Sequence, residues 1–277
     1  MRMSHSARET YLTCPRKYFL HYFLKLRPIR PRSPLVFGSA IDEGLNCLLE
    51  TRDIERASMA FGEKWFSYRD KDVAYSKSDH DEFLLDNTDK PDDTWLSLSR
   101  RGIILLQEYD RQIMPKIKEV IKVQLDQTAT NSMGDELVIK TDCIVVWEDG
   151  RRILFDNKTS SMKYTEDSVR ISPQLAIYYE TLKEEYNLDA CGYIIIPKKI
   201  NKIKEPRVKI EVIIDQVSQE TLNATLESYD ETLKNIKNAK FECNKSSCKG
   251  IYGLCDFYKY CHQGDITGLV EKKEKYY

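Results

Sequence analysis

Residues 136–158, ELVIKTDCIVVWEDGRRILFDNK, leave the backbone few ways to satisfy itself. Val138, Cys143, Val145 and Trp147 lie in alternating and continuous apolar stretches, Glu148-Asp149-Gly150 supplies turn residues, and Ile153-Leu154-Phe155 resumes an apolar run. The pattern predicts a β-hairpin. Asp142 falls on the first arm, and Asp156 and Lys158 on the second, where residues two apart share a face. Asp142, Asp156 and a backbone carbonyl, that of Asn157, are the oxygen donors a magnesium or manganese ion takes, with positions left for water and a phosphate oxygen. Lys158 would then stand beside the metal-bound water and offset charge developing on phosphorus. Each part also has a plain structural reading, since a strand-end Asp is a common cap or turn residue and Asp-x-Lys recurs by chance.

Farther along, Ser172-Pro173 opens a predicted helix that carries Gln174 and Tyr178 four residues apart on one face, with Tyr179 beside them. Asp…Asp-x-Lys followed by Gln-x-x-x-Tyr resembles the PD-(D/E)XK nuclease superfamily, specifically its RecB-like exonuclease branch, which includes AddB-like and CRISPR-associated iron–sulfur nucleases. The resemblance implies that Gln174 and Tyr178 help align the catalytic strand and DNA. It implies an α/β fold as well, with a mixed central sheet flanked by helices. The predicted order agrees: a strand over 117–125, the hairpin, the Gln174 helix, then a buried strand over 192–197. Glu119 on the first of these is a candidate further ligand, though its alternation with Lys118 and Lys122 fits an exposed strand residue better.

A chain of 277 residues with 41% hydrophobic content can bury a substantial core. We divide it into an N-terminal helical region (1–115), a nuclease core (116–240) and a Cys-rich segment with tail (241–277). Its 43 basic and 44 acidic residues give no overall attraction to nucleic acid, so DNA binding must rest on local patches. The start, MRMSHSARET, has no hydrophobic signal region, and no apolar run is long enough to span a membrane, so a soluble protein of the cytoplasm (a host's, if the chain is viral) is expected. Eight cysteines in that setting suggest reduced thiols or metal ligands rather than disulfides.

Ser6-x-x-Glu9 has capping-box form and predicts a helix from about Ala7, broken or restarted at Pro15. Tyr18, Phe19, Tyr22 and Phe23 recur at helical spacing as core residues, while Arg16 and Lys17 suit a DNA phosphate or a solvated face. RPIRPRSP at 27–34 reads as an extended connector. Gly38 and Asp42 then open a helix with Leu45, Leu48 and Leu49. The related nucleases carry Gly-x-x-x-His here, the His being a metal ligand, so the resemblance makes Asp42 a further ligand candidate; Asp42 and Glu43 also suit a helix's first turn. Helices are predicted over 54–70 and 95–113. The acidic stretch 76–93, with His80 between Asp79 and Asp81, reads as a solvated loop. Lys198, Lys199, Lys202, Lys204, Arg207 and Lys209 form the densest basic patch, suited to phosphate contacts and equally to a solvated loop before an edge strand. A helix is predicted over 218–239.

Cys243, Cys248, Cys255 and Cys261 crowd into the last segment and signal a metal. Four local thiolates alone would suit zinc, making the chain a zinc-stabilised adaptor. The resemblance points instead to Cys14, in the Cys-Pro box of Cys14-Pro15-Arg16-Lys17-Tyr18, joining three C-terminal cysteines around a 4Fe–4S cluster. Cys255 and Cys261 fit the final C-x5-C; Tyr252 stands where the middle cysteine is expected, so Cys248 substitutes and Cys243 is spare or an alternate ligand. Cys47, Cys143 and Cys191 are expected to be packing residues. The reading reached is a magnesium- or manganese-dependent DNA exonuclease of recombination, repair, viral DNA processing or CRISPR systems, with helicase or other partner proteins in view. An endonuclease or flap nuclease, or a non-catalytic DNA-binding subunit, are the alternatives.

Overall fold

The computed structural model describes residues 1–69, 73, 94–160, 163–201, 203–250 and 253–272. The stretch 76–93 with His80, as well as Lys202 and Tyr252, lies outside the described residues. In chain order the elements are β1 (Arg2–Ser4), α1 (His5–Thr13), α2 (Pro15–Tyr18), β2 (Leu26–Pro28), α3 (Ser33–Thr51), α4 (Ile54–Phe66) and α5 (Trp95–Gln112). Then come β3 (Ile117–Thr130), β4 (Glu136–Trp147), β5 (Arg152–Ser160), α6 (Glu166–Arg170), α7 (Pro173–Tyr186), β6 (Ala190–Pro197) and β7 (Glu211–Asp215). The chain closes with α8 (Gln219–Lys237), β8 (Lys249–Gly250), β9 (Gly253–Leu254), α9 (Tyr258–Gln263) and β10 (Leu269–Glu271). The fold is α/β, a mixed sheet flanked by helices, with strands in the order β1-β4-β5-β6-β7 and β3 also paired to β4.

Two compact units divide the chain. The larger comprises residues 31–126 and 140–222. Its helices begin where the sequence offers caps: Asp53 accepts from Glu55 and Arg56 N–H ahead of α4, and Thr94 forms a capping box with Ser97 ahead of α5. One face of the sheet, Cys143, Val145 and Trp147 of β4 with Ile153 and Phe155 of β5, packs into a core with Phe37, Ile41 and Leu45 of α3, Phe61 and Trp65 of α4, and Leu105, Leu106 and Tyr109 of α5. Two glycines let these helices close up. A Cβ on Gly102 would lie 2.0 Å from Phe61 Cζ, and one on Gly44 would lie 2.8 Å from a Leu106 methyl. Helix α7 lies against β5 and β6. Strands β5 and β6 run parallel, from Ile153 beside Ala190 to Ser160 beside Pro197, and β4 pairs antiparallel with β5.

The smaller unit comprises residues 1–30, 127–139 and 223–277. β1 runs parallel to the first residues of β4, and β2 pairs antiparallel with β10. Asp135, almost wholly buried, is neutralised by Lys237 Nζ at 2.6 Å, and the Arg8 guanidinium lies 5.0 Å over the Tyr229 ring. The predicted first helix is present, but its cap is Ser4 rather than Ser6: Ser4 is extended at the end of β1, and its Oγ accepts from Ala7 N–H at 3.2 Å. Ser6 lies inside the helix, where its carbonyl accepts from Thr10 Oγ1, while Glu9 pairs with Arg8. Pro15 does restart the helix. The connector at 27–34 is shorter than expected, because α3 begins at Ser33 with Pro34 in its first turn, a position where the missing N–H costs nothing. Strand β3 extends beyond the expected 117–125, and Glu119 on it is exposed.

Candidate active site and cysteine cluster

In the larger unit the β4–β5 register sets Cys143 opposite Phe155. One residue further, Asp142 stands opposite Asp156 on the face away from the apolar helical core. Asp142 Oδ2 accepts the Asn157 N–H at 2.6 Å. The intervening side chain of Asn157 points to the other face, where its Oδ1 accepts from the Tyr109 hydroxyl at 3.2 Å, so its backbone carbonyl alone is left for a metal.

Lys158 returns to the face of Asp156, and its Nζ lies 2.6 Å from Asp156 Oδ2. Gln174, in the first turn of α7, bridges the pair: its Oε1 accepts from Lys158 Nζ at 3.1 Å, and its Nε2 donates to Asp156 Oδ1 at 2.8 Å. Ser172 positions that turn as the α7 N-cap, accepting from Leu175 N–H at 3.1 Å. Ser172 Oγ also meets the Tyr193 hydroxyl at 2.6 Å, and Lys158 Nζ sits 5.7 Å from the centre of the Tyr193 ring. Tyr178, one turn along α7, is buried; burial raises its pKa, partly offset by hydrogen bonding to Gln174 and to the backbone of Lys140. Tyr179 turns elsewhere, donating to Leu188 O.

The electrostatics suit this cluster to a cation. Burial pushes the Asp142 carboxyl well above its ordinary range, and the charge of Asp156 pushes it further. Asp156 is raised by burial too, with Lys158 and Gln174 opposing. Asp42, on α3, retains solvent exposure, yet surrounding protein and then the charge of Asp156 push its pKa up to about 6. Burial disfavours the Lys158 ammonium, but Asp156 more than compensates and holds its pKa above the usual value, so the side chain stays charged. Asp156 Oδ2 is buried without a well-directed hydrogen bond beyond its ion pair. Mutually repelling carboxylates with an under-satisfied buried oxygen fit a hard divalent cation. Asp142, Asp156, the Asn157 carbonyl and Asp42 are the donors available.

In the smaller unit Cys243, Cys248 and His262 offer ligand atoms all within 4.8 Å of one another, with Cys248 Sγ 3.5 Å from His262 Nε2. His262, at the end of α9 and next to Cys261, was not singled out from sequence. Cys14 is buried, and its Sγ accepts from Asn244 N–H at 3.4 Å. Burial works against its thiolate, but hydrogen bonds from Asn244, Lys17, Ser247 and Arg16 outweigh it and lower the pKa. Cys255 and Cys261 pack against Leu20, Leu26 and Phe257. Their thiols are raised by burial and further by neighbouring thiols, Cys14 for Cys255, and Cys255, Cys14 and Cys248 for Cys261. Thiols crowded in this way fit a soft metal centre. Cys143 and Cys191, by contrast, are fully buried, and burial pushes the Cys191 thiol up to about 12.

Around the carboxylates and Lys158, the residues missed from sequence, Tyr193 and Tyr109, gave only the weak signal of a phenol within an otherwise apolar strand or helix face.

Comparison with known proteins returns the model of the PD-(D/E)XK nuclease superfamily over residues 2–262. No curated protein matches. Among solved structures, a crystal structure of the protein SSO0001 is 13% identical, with a TM-score of 0.27 over 41% of this chain; the chain spans about half, 49%, of that protein's length. Among the described residues, no helix is long and apolar enough to cross a membrane.

Proposed function

The chain belongs to the PD-(D/E)XK nuclease superfamily, and on that premise we propose that it hydrolyses DNA phosphodiester bonds with Asp142, Asp156 and the Asn157 carbonyl holding magnesium or manganese, and Asp42 as a further ligand. A bound divalent cation activates water and polarises a phosphate oxygen. Lys158, held charged by Asp156, orients the attacking water and offsets negative charge growing on the phosphoryl oxygens. Gln174 fixes Lys158 and Asp156 relative to each other, and Tyr178 backs Gln174. The observation that carries this reading is the Gln174 bridge, because one amide satisfies both members of the Asp156–Lys158 pair. A non-catalytic DNA-binding subunit would have no need of that arrangement, which supports the enzyme.

The likeness of Asp…Asp-x-Lys with Gln-x-x-x-Tyr to the RecB-like branch favours action from DNA ends. It also favours a 4Fe–4S cluster on Cys14, Cys248, Cys255 and Cys261. A second reading of the cysteines, zinc held by Cys243, Cys248 and His262, is favoured by their 4.8 Å grouping. The test of function is digestion of matched linear and circular DNA, single- and double-stranded, with magnesium or manganese. Wild-type loss of linear DNA alone, absent in Lys158→Ala, is expected. Cleavage of circles would make the protein an endonuclease. Equal cleavage by Lys158→Ala, or no cleavage by anaerobically purified wild type, would overturn the assignment.

A further inference from the structure

The basic loop 198–209 is tied at both ends to the elements that build the catalytic cluster. At its start Lys198 N–H donates to Ser160 O at 3.4 Å, at the tip of the strand that carries Asp156 and Lys158. The parallel ladder sets Ile195 beside Lys158 and Pro197 beside Ser160, so the loop leaves the sheet about 7 Å along the strand from Lys158. At its far end Arg207 N–H donates to Glu108 Oε1 at 3.2 Å. Gln112 clasps the next residues, donating to Val208 O at 2.6 Å and accepting from Ile210 N–H at 3.1 Å. Glu108 and Gln112 lie on α5, the helix whose Tyr109 holds Asn157.

Between these anchors the chain folds on itself. Asn201 N–H donates to Arg207 O at 2.7 Å, and Asn201 Oδ1 accepts from the N–H groups of Ile203 and Lys204. Lys199, Lys204, Arg207 and Lys209 are exposed on this frame. With them stands Ile203, 94% exposed and the most solvent-open of the large hydrophobic side chains among the described residues. An aliphatic tip in water contributes nothing to the core, and cations around it repel a second copy of the same loop. The segment carries six basic residues against one acid, in a chain whose net charge is −1. Cations flanking an apolar tip match a nucleic-acid strand, which offers phosphates beside the flat faces of its bases.

We propose that the described part of this loop engages DNA as a finger beside the active site, with Lys199, Lys204 and Lys209 on phosphates and Ile203 packed against a base of the incoming strand. This rests on the nuclease reading above, and its test is a binding measurement made without cleavage. Anisotropy of a labelled single-stranded oligonucleotide, with no added divalent cation, is compared across salt for wild type, Ile203→Ala, and the combined Lys199→Ala, Lys204→Ala, Lys209→Ala variant. All four side chains are exposed, so unfolding temperatures should match. The triple variant should lower the slope of log K against log salt by about 2, each lost phosphate contact removing about 0.7. Ile203→Ala should keep the slope and bind about five-fold more weakly. Wild-type affinity and slope in either variant overturn the finger and leave the nuclease reading standing. Failure of the wild type to bind any DNA removes both.

Discussion

The Tyr193 hydroxyl lies 2.6 Å from Ser172 Oγ. Ser172 caps the helix that carries Gln174, and the Tyr193 ring stands beside the Lys158 ammonium, so one tyrosine steadies two members of the site. Tyr193→Phe keeps the ring and loses the hydrogen bond. We expect a loss of about 1 kcal/mol, a fall in Tm of roughly 2–4 °C, and slower DNA cleavage with little change in DNA affinity. Calorimetry and single-turnover cleavage check this; unaltered turnover would separate the phenol from the positioning of Gln174.

Asp142 and Asp156 oppose each other across β4 and β5, and without a cation burial and then the charge of Asp156 disfavour ionised Asp142. Asp142→Asn removes one charge while keeping an oxygen for the Asn157 N–H. Metal-free Asp142→Asn should therefore unfold about 2–4 °C above the wild type. Magnesium or manganese should stabilise the wild type and not the variant, and cleavage should be lost with that stabilisation. Thermal scans with and without metal decide, and a variant less stable than metal-free wild type would contradict the account.

Glu108 anchors the basic loop from inside. Burial raises its pKa, but hydrogen bonds from Arg111, Gln112 and the Arg207 N–H prevail and hold it below the ordinary 4.5. A depressed carboxylate binds fewer protons folded than unfolded, so its contribution is present above pH 4.5 and disappears as pH falls through the folded-state value. Wild type should accordingly be more stable than Glu108→Gln at pH 7, and the gap should close in acid below about pH 4.5. A gap independent of pH would mean that shape, not charge, holds the loop.

Gly102 has no room for a side chain, since its Cβ would lie 2.0 Å from Phe61 Cζ. Gly102→Ala should cost about 1–3 kcal/mol, and adding Phe61→Leu should recover part of that loss. Denaturant titration of the single and double variants measures both.

For the cysteines, iron, sulfide and visible absorbance in the anaerobic protein, lost in Cys14→Ala, are expected for the 4Fe–4S cluster. One zinc in a colourless protein, retained in Cys14→Ala and lost in His262→Ala, would establish the zinc reading.

The parts of the cluster within one strand pair, or on one helix turn, were legible in sequence. The apolar pattern of 136–158 and its Glu148-Asp149-Gly150 turn gave the hairpin, and parity then put Asp156 and Lys158 on one face. Ser172-Pro173 gave the start of α7, and with it the place of Gln174. Contacts made by folding distant segments together were not legible. Tyr109 reaches Asn157 from 48 residues away, and Tyr193 meets Ser172 from 21. Even the cap of the first helix depended on tertiary context, because pairing of β1 with β4 holds Ser4 extended and leaves Ser6 inside the helix.

The eight parallel residue pairs between β5 and β6 have a consequence for how the site comes into being. Asp156 and Lys158 face Gln174, whereas Asn157 faces Tyr109, so a strand displaced by one residue would offer an amide to Gln174 and drive a carboxylate and an ammonium into the apolar layer. A one-residue slip therefore leaves no Asp156–Lys158 pair for Gln174 to bridge: the cluster assembles only with the correct ladder, and the register of the sheet acts as the site's own inspection step.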